Sequence, residues 1–198
     1  HSYINGFNQI KNYISEGKFR GLFSNVQMFV VSNAVDTKYF AAARDTELNK
    51  EFLTGWVDED NKPVCDYIEF TKSVLRIPQA HEMVSKYTVL DNVRKKLLIL
   101  RPYQIHAIEA MRRASKTGKS GYIWHTTGSG TMTSYKATRN LLMDIPSIEK
   151  TLFLIDRKDL DKQTGDAFKS YSENDTIDVD NTENVNRLIK KLTDGNRQ

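Results

Sequence analysis

The first half of the chain changes period twice. Phe7, Ile10 and Ile14 recur at helical spacing, which predicts a helix over residues 2–16 that Gly17 ends. "VQMFVVSN", residues 26–33, is a continuous apolar run with adjacent valines, the pattern of a buried strand. "NAVD" follows as a turn, and "TKYFAAA" reads as a second short strand. Residues 44–64 are polar and mixed, with "DEDNKP" at 58–63, and read as loop. "VCDYIEFTKSVLR" reads as a helix that stops before Pro78, because a proline pushes its predecessor out of helical geometry. A domain boundary is placed there, within about ten residues.

The second half alternates. A helix is expected at 79–86. "RPYQIHAIEAMRRA" carries Ile105, Ile108 and Met111 at helical spacing, with Pro102 suited to the first turn. "GYIWHT" reads as a strand, "GSG" as a glycine turn, and "TMTSYKATRNLLM" as a helix. "KTLFLIDR" reads as a buried strand, and "KDLDKQTGDAF" opens another helix. Strand, glycine turn, helix, strand, helix is a βαβ order, so a parallel sheet is expected in an α/β fold.

Composition narrows the classes without choosing one. Of 198 residues, 39% are hydrophobic and 27% charged, as in an ordinary globular protein. The net charge of +4 leans only slightly toward an anionic partner. The single cysteine, Cys65, rules out an internal disulfide and reads as a buried thiol. No apolar run approaches the roughly 18 residues of a membrane span, so no membrane role is expected. The first and last residues, without an initiator Met or a leader pattern, suggest an internal fragment.

Chemistry concentrates at Thr127-Gly128-Ser129-Gly130-Thr131, between an expected strand and an expected helix. A polyphosphate needs converging backbone N–H groups and no obstructing side chain. Glycines allow that approach, and the helix that follows presents its positive end. A hydroxyl just after the loop suits Mg²⁺. The plainer alternative is a strand–helix turn. Gln104, on the preceding helix, has an amide that can both donate and accept, a two-point match to adenine's edge. Tyr103 and Arg101 stand where they can stack on or flank a base. A solvated glutamine is the plainer reading of Gln104 taken alone.

"RPYQ", "GYIWHTTGSG" and "LFLIDRKDLDKQ" together resemble the superfamily 2 helicases. More narrowly, they are similar to the R (motor and nuclease) subunit of type I restriction enzymes. That resemblance places Thr127, Gly128, Ser129, Gly130, Thr131 and Met132 at an ATP phosphate loop, with Thr131 on Mg²⁺. It implies that Gln104 reads adenine and that Asp156 and Arg157 lie beside DNA. Gln9 and Tyr13 match the family's QxxxY motif, which supports a RecB-like nuclease site. Residues i and i+4 share one helix face, so a core-edge pair is the plainer alternative. Lys38, after "FVVSNAVD", is a candidate phosphate contact from the nuclease side.

The resemblance therefore implies the C-terminal part of a RecB-like (PD-(D/E)xK) nuclease domain over 1–78. The first part of a RecA-like parallel-sheet helicase domain would follow over 79–198. It implies ATP and Mg²⁺ as cofactors. Double-stranded DNA and the methyltransferase (M) and specificity (S) subunits are implied as partners, in the cytoplasm. The parent would be an ATP-dependent DNA translocase and endonuclease, and this slice alone would neither cut DNA nor turn over ATP. One departure stands out. The family's loop reads GSGKT, whereas here Thr131 follows Gly130 directly. A residue that the sequence does not show, a true deletion that empties the site, or a loop that never held nucleotide each accounts for it. The alternative functions are another superfamily 2 helicase or remodeller, and an assembly module deficient in ATP binding.

Overall fold

The computed structural model describes residues 2–44, 47–125 and 130–195. The chain divides into two compact units. One comprises residues 1–89 with 96–106, the other residues 90–95 with 107–198.

The first unit is built on a four-stranded antiparallel sheet in the order β1-β2-β3-β4. The helix α1 (Tyr3–Ser15) opens it. The Ser2 hydroxyl accepts from the Ile4 N–H at its start, and Gly17 adopts φ +70° just past its end. β1 (Met28–Ser32) pairs with β2 (Thr37–Ala41), Val30 opposite Tyr39. Their turn is the expected "NAVD": the Asn33 side-chain oxygen accepts from the Val35 and Asp36 N–H groups, and Ala34 takes φ 72°. β1 is an edge strand and mostly half-buried, because a hairpin edge has one neighbour rather than two.

β2 is buried on both faces. Phe40 packs with Phe7 and Val31, its ring centroid 5.2 Å from that of Phe7. Tyr39 points the other way, toward Phe70 at 6.3 Å, and donates its hydroxyl to the Leu100 carbonyl at 2.8 Å. Burial raises the Tyr39 phenol above its usual range, while Arg101 pulls weakly the other way.

The expected loop at 44–64 holds a strand pair. β3 (Thr54–Val57) joins β2 and is followed by β4 (Pro63–Val64), with "DEDNK" as their turn. Four residues of TGWV are too short to show a period, yet they pair with a buried strand. A helix over α2 (Tyr67–Phe70) continues into a π turn at Thr71–Leu75, capped by the Asp66 carboxylate on the Ile68 and Glu69 N–H groups. α3 (Gln79–Ser85) follows as expected. Cys65 is exposed rather than buried, because it sits in the polar connection just before α2. A hairpin that the sequence pattern did not predict follows, β5 (Thr88–Asp91) with β6 (Lys96–Ile99).

α4 (Pro102–Lys116) starts on Pro102 and ends before Gly118, at φ +64°. In the second unit, α5 (Gly130–Asp144) packs against α6 (Lys158–Ser172). Tyr135 lies edge-on to Phe168 and to Tyr171, at 5.4 Å each. The turn at 91–94 is pinned to α6: Ser170 Oγ donates to the buried Asp91 carboxylate at 2.9 Å and accepts from the Val93 N–H. α7 (Val185–Thr193), not predicted, is capped by Asn184.

The two strands expected in this half do not form. Residues 121–125 and 150–155 are in neither helix nor strand, and no parallel pair occurs among the described residues. A strand needs a neighbouring strand, and among the described residues neither run lies in a sheet. Tyr122 is 90% exposed, Trp124 91% and Leu154 80%, so these runs are not buried either. Among the described residues no helix is long and apolar enough to cross a membrane.

Candidate functional site

Of the loop residues, Thr127, Gly128 and Ser129 lie outside the described residues. Gly130, Thr131 and Met132 form the first turn of α5, consecutive in one uninterrupted helix. A Cβ placed on Gly130 would meet nothing within 4 Å among the described residues. Gly130 is exposed, and α5 begins at it. A helix start suits an anion, since its first N–H groups have no partner within the helix and carry partial positive charge. Thr131 is half-buried in the same turn. Among the described residues no cluster of three His, Cys, Asp or Glu side chains forms a metal site.

Gln104 has an identified local partner. Its side-chain oxygen accepts from the Arg101 N–H at 2.8 Å, while the Arg101 carbonyl receives the Gln104 and Ile105 N–H groups. A glutamine at the third helical position that reaches back to the residue before the helix is half of a capping box. The side chain is 5% exposed. A purine amine would share an oxygen that already holds the start of α4. Arg101 is exposed and Tyr103 half-buried. Gln104 belongs to the first unit and Gly130 to the second.

Gln9 and Tyr13 meet as the spacing predicts. The Gln9 amide donates to the Tyr13 hydroxyl at 2.7 Å on the exposed face of α1. Lys38 is paired with Asp36 at 2.9 Å and lies 5.7 Å from the centre of the Tyr3 ring. A Cβ on Gly55 would come within 2.9 Å of its ammonium, so the glycine makes room for it. Asp156 and Arg157 are exposed just before α6. They border an open cleft of about 520 Å³ whose apolar wall includes Leu142, Phe153 and Phe168.

The sequence reading passed over the buried face of α5. Thr133, Lys136, Ala137 and Asn140 are all buried there at helical spacing. Lys136 is 3% exposed. Burial, reinforced by Arg139 and opposed by Asp175, lowers its ammonium to a pKa of about 8. Asp175 receives the Tyr135 hydroxyl at 2.9 Å, the Arg139 Nε and the Thr176 N–H. Burial alone would raise that carboxyl. The Arg139 hydrogen bond and the two lesser ones outweigh it and hold the group below its usual range. A lysine inside a repeat of positions i, i+3, i+4 and i+7 was the signal available in the sequence.

The model of the SWI2/SNF2 ATPase family matches residues 103–198. The type I restriction enzyme SauCOLORF180P endonuclease subunit of Staphylococcus aureus (strain COL) is 40% identical over 190 residues, 95% of this chain and 20% of that protein. The SsaAORF53P endonuclease subunit of Staphylococcus saprophyticus is 41% identical over the same shares. A Mycoplasma pneumoniae protein named for the C-terminal part of the MpnIIP endonuclease subunit is 36% identical over 152 residues, 70% of this chain and 71% of that one. This chain spans about a fifth of the length of the staphylococcal relatives. A mixed α/β chain with a helicase-like ATPase match, it belongs to the endonuclease subunits of type I restriction enzymes.

Proposed function

We propose that the chain is part of an ATP-dependent DNA translocase that cuts DNA after translocation. The observation that carries this reading is the 40% identity to type I restriction endonuclease subunits over 95% of the chain. On this reading residues 1–78 end a RecB-like nuclease domain, where Gln9 and Tyr13 support the cutting site. Residues 79–198 begin a RecA-like motor lobe. Residues 127–132 cradle the phosphates, Thr131 ligates Mg²⁺, and Gln104, flanked by Arg101 and Tyr103, reads the adenine edge. Asp156 and Arg157 border the DNA track, and Lys38 contacts phosphate from the nuclease side. Bound ATP supplies the free energy for stepping along double-stranded DNA. The methyltransferase and specificity subunits are the partners that direct it, in the cytoplasm.

The placement of Gly130, Thr131 and Met132 at the start of α5 supports the nucleotide part of this reading, because a helix start carries partial positive charge. Titration of labelled ATP with Mg²⁺ into the folded protein tests it. Saturable binding that depends on the triphosphate is expected. A folded protein that shows no binding would sink the motor reading and leave an assembly role. The SWI2/SNF2 description of the family match favours one rival, a DNA or RNA remodeller without nuclease chemistry. Cleavage of circular DNA by the complete enzyme with ATP separates the two.

A further inference from the structure

The stretch that follows α1 gathers cations and apolar side chains on one short turn. Residues 2–35 contain three cations, Lys11, Lys18 and Arg20, against a single acid, Glu16. Two of these cations are held in place although both are exposed. Lys18 pairs with Glu16 at 2.7 Å, and its ammonium lies 4.6 Å from the centre of the Tyr13 ring. Its N–H donates to the Tyr13 carbonyl at 2.9 Å, which fixes its backbone at the end of α1. Arg20 folds back on Gly17. A Cβ on that glycine would come within 2.6 Å of the Arg20 Nε, so the glycine makes room for the guanidinium.

The apolar side chains come next. A 3-10 turn, Gly21–Asn25, follows Arg20. The Phe23 N–H donates to the Arg20 carbonyl, and the Ser24 hydroxyl donates to the Gly21 carbonyl at 2.7 Å. Just before the turn, Phe19 packs edge-on to Phe29 of β1, with ring centroids 5.0 Å apart. The turn is anchored in this way, yet Leu22 is 87% exposed and Phe23 is exposed as well. Large apolar side chains displayed on an ordered turn beside two positioned cations call for a partner with both chemistries. Duplex DNA has them: anionic phosphates that take up Lys and Arg, and apolar sugar and base faces that take up Leu and Phe. A purely ionic ligand would leave Leu22 and Phe23 unused. An apolar groove would leave Lys18 and Arg20 without an anion.

We propose that residues 18–23 dock duplex DNA, with Lys18 and Arg20 on its phosphates and Leu22 and Phe23 against its groove. This rests on the DNA reading above and gives the nuclease part a substrate-holding surface beside Tyr13. Glu16 then shares Lys18 with a phosphate. Cations already held by Tyr13 and Gly17 lose less freedom on binding than mobile ones, which favours the complex.

Binding of a short labelled duplex to the full chain, followed across a salt series, tests the docking surface. Wild type should bind with an affinity that falls as salt rises. Lys18→Gln and Arg20→Gln should each weaken binding and lower the slope of log affinity against log salt by about one. Lys18→Arg should keep the slope. Leu22→Ser combined with Phe23→Ser should weaken binding severalfold and leave the slope unchanged. Each replaced side chain is exposed, so the variants should keep the fold, which thermal unfolding checks. Variants that match wild type in affinity and slope overturn the proposal, as does a wild type that binds no duplex at low salt. Tighter binding to anionic lipid vesicles than to the duplex would assign the surface to a membrane and overturn it too. Cleavage of circular DNA by the complete enzyme tests the nuclease reading by itself. An enzyme that cuts while these variants bind as wild type does loses this proposal alone.

Discussion

Gln104 shows how one side chain can serve local structure and ligand at once. Its oxygen holds the Arg101 N–H at the start of α4. In Gln104→Ala that donor loses its partner, which should cost about 1–3 kcal/mol in urea unfolding. On the proposed reading the same change should weaken ATP more than a uracil nucleotide. Equal losses for the two nucleotides would assign the residue to the cap alone. Lys136 makes a second prediction, on pH. Burial first, then Arg139, against the opposing pull of Asp175, lower its pKa from 10.5 to about 8. Between those values the unfolded chain still binds the proton and the folded chain has released it. Stability should therefore rise as pH climbs from 8 toward 10, by at most about 3 kcal/mol. Above pH 10 the trend reverses, because Tyr39 and Tyr135 are held above their usual pKa and ionise first in the unfolded chain. Lys136→Met should flatten the rise between pH 8 and 10 in denaturant titrations. A profile identical to wild type would show that the ammonium is not desolvated.

At the scale of elements, most of the helices were legible, but of the six strands described only β1 and β2 were. α1, α4, α5 and α6 carry apolar residues at helical spacing, and α1 and α4 add a capping group and a glycine stop, signals that lie in or beside the segment itself. β1 and β2 were legible because their turn carries Asn33 at the position that organises it. β3 was not, since TGWV is four residues of mixed character that the partner strand, not its own pattern, makes a strand. "GYIWHT" and "LFLIDR" failed in the opposite direction. An apolar run records a demand for burial, but it does not record whether a neighbour is there to meet it. The site divides the same way. The spacing of Gln9 and Tyr13 gave their contact in advance. The burial of Lys136 depends on what α5 packs against, which no local pattern states.

For the whole molecule, the two runs outside any sheet and the length of the relatives bear on each other. Residues 122–124 and 152–154 are apolar and exposed, and the cleft beside 151–155 has an apolar wall. Exposed apolar surface of this kind usually marks an interaction site. The staphylococcal relatives are about five times as long as the matched stretch. On the proposed motor-lobe reading, both runs are strands of a parallel sheet whose neighbours come from further sequence of that kind. Parallel strands lie covered on both faces, which fits the lack of polar alternation in these runs. Amide hydrogen exchange tests this directly, because an unpaired backbone exchanges freely and a laddered one must first open. In the 198-residue chain, amides of 122–124 and 152–154 should exchange at nearly the rate of an unstructured peptide, while those of β2 are protected. In a protein as long as the relatives, the same amides should slow by orders of magnitude. Equal exchange in the two proteins would mean that these runs are not sheet strands, and the parallel-sheet lobe would have to be abandoned.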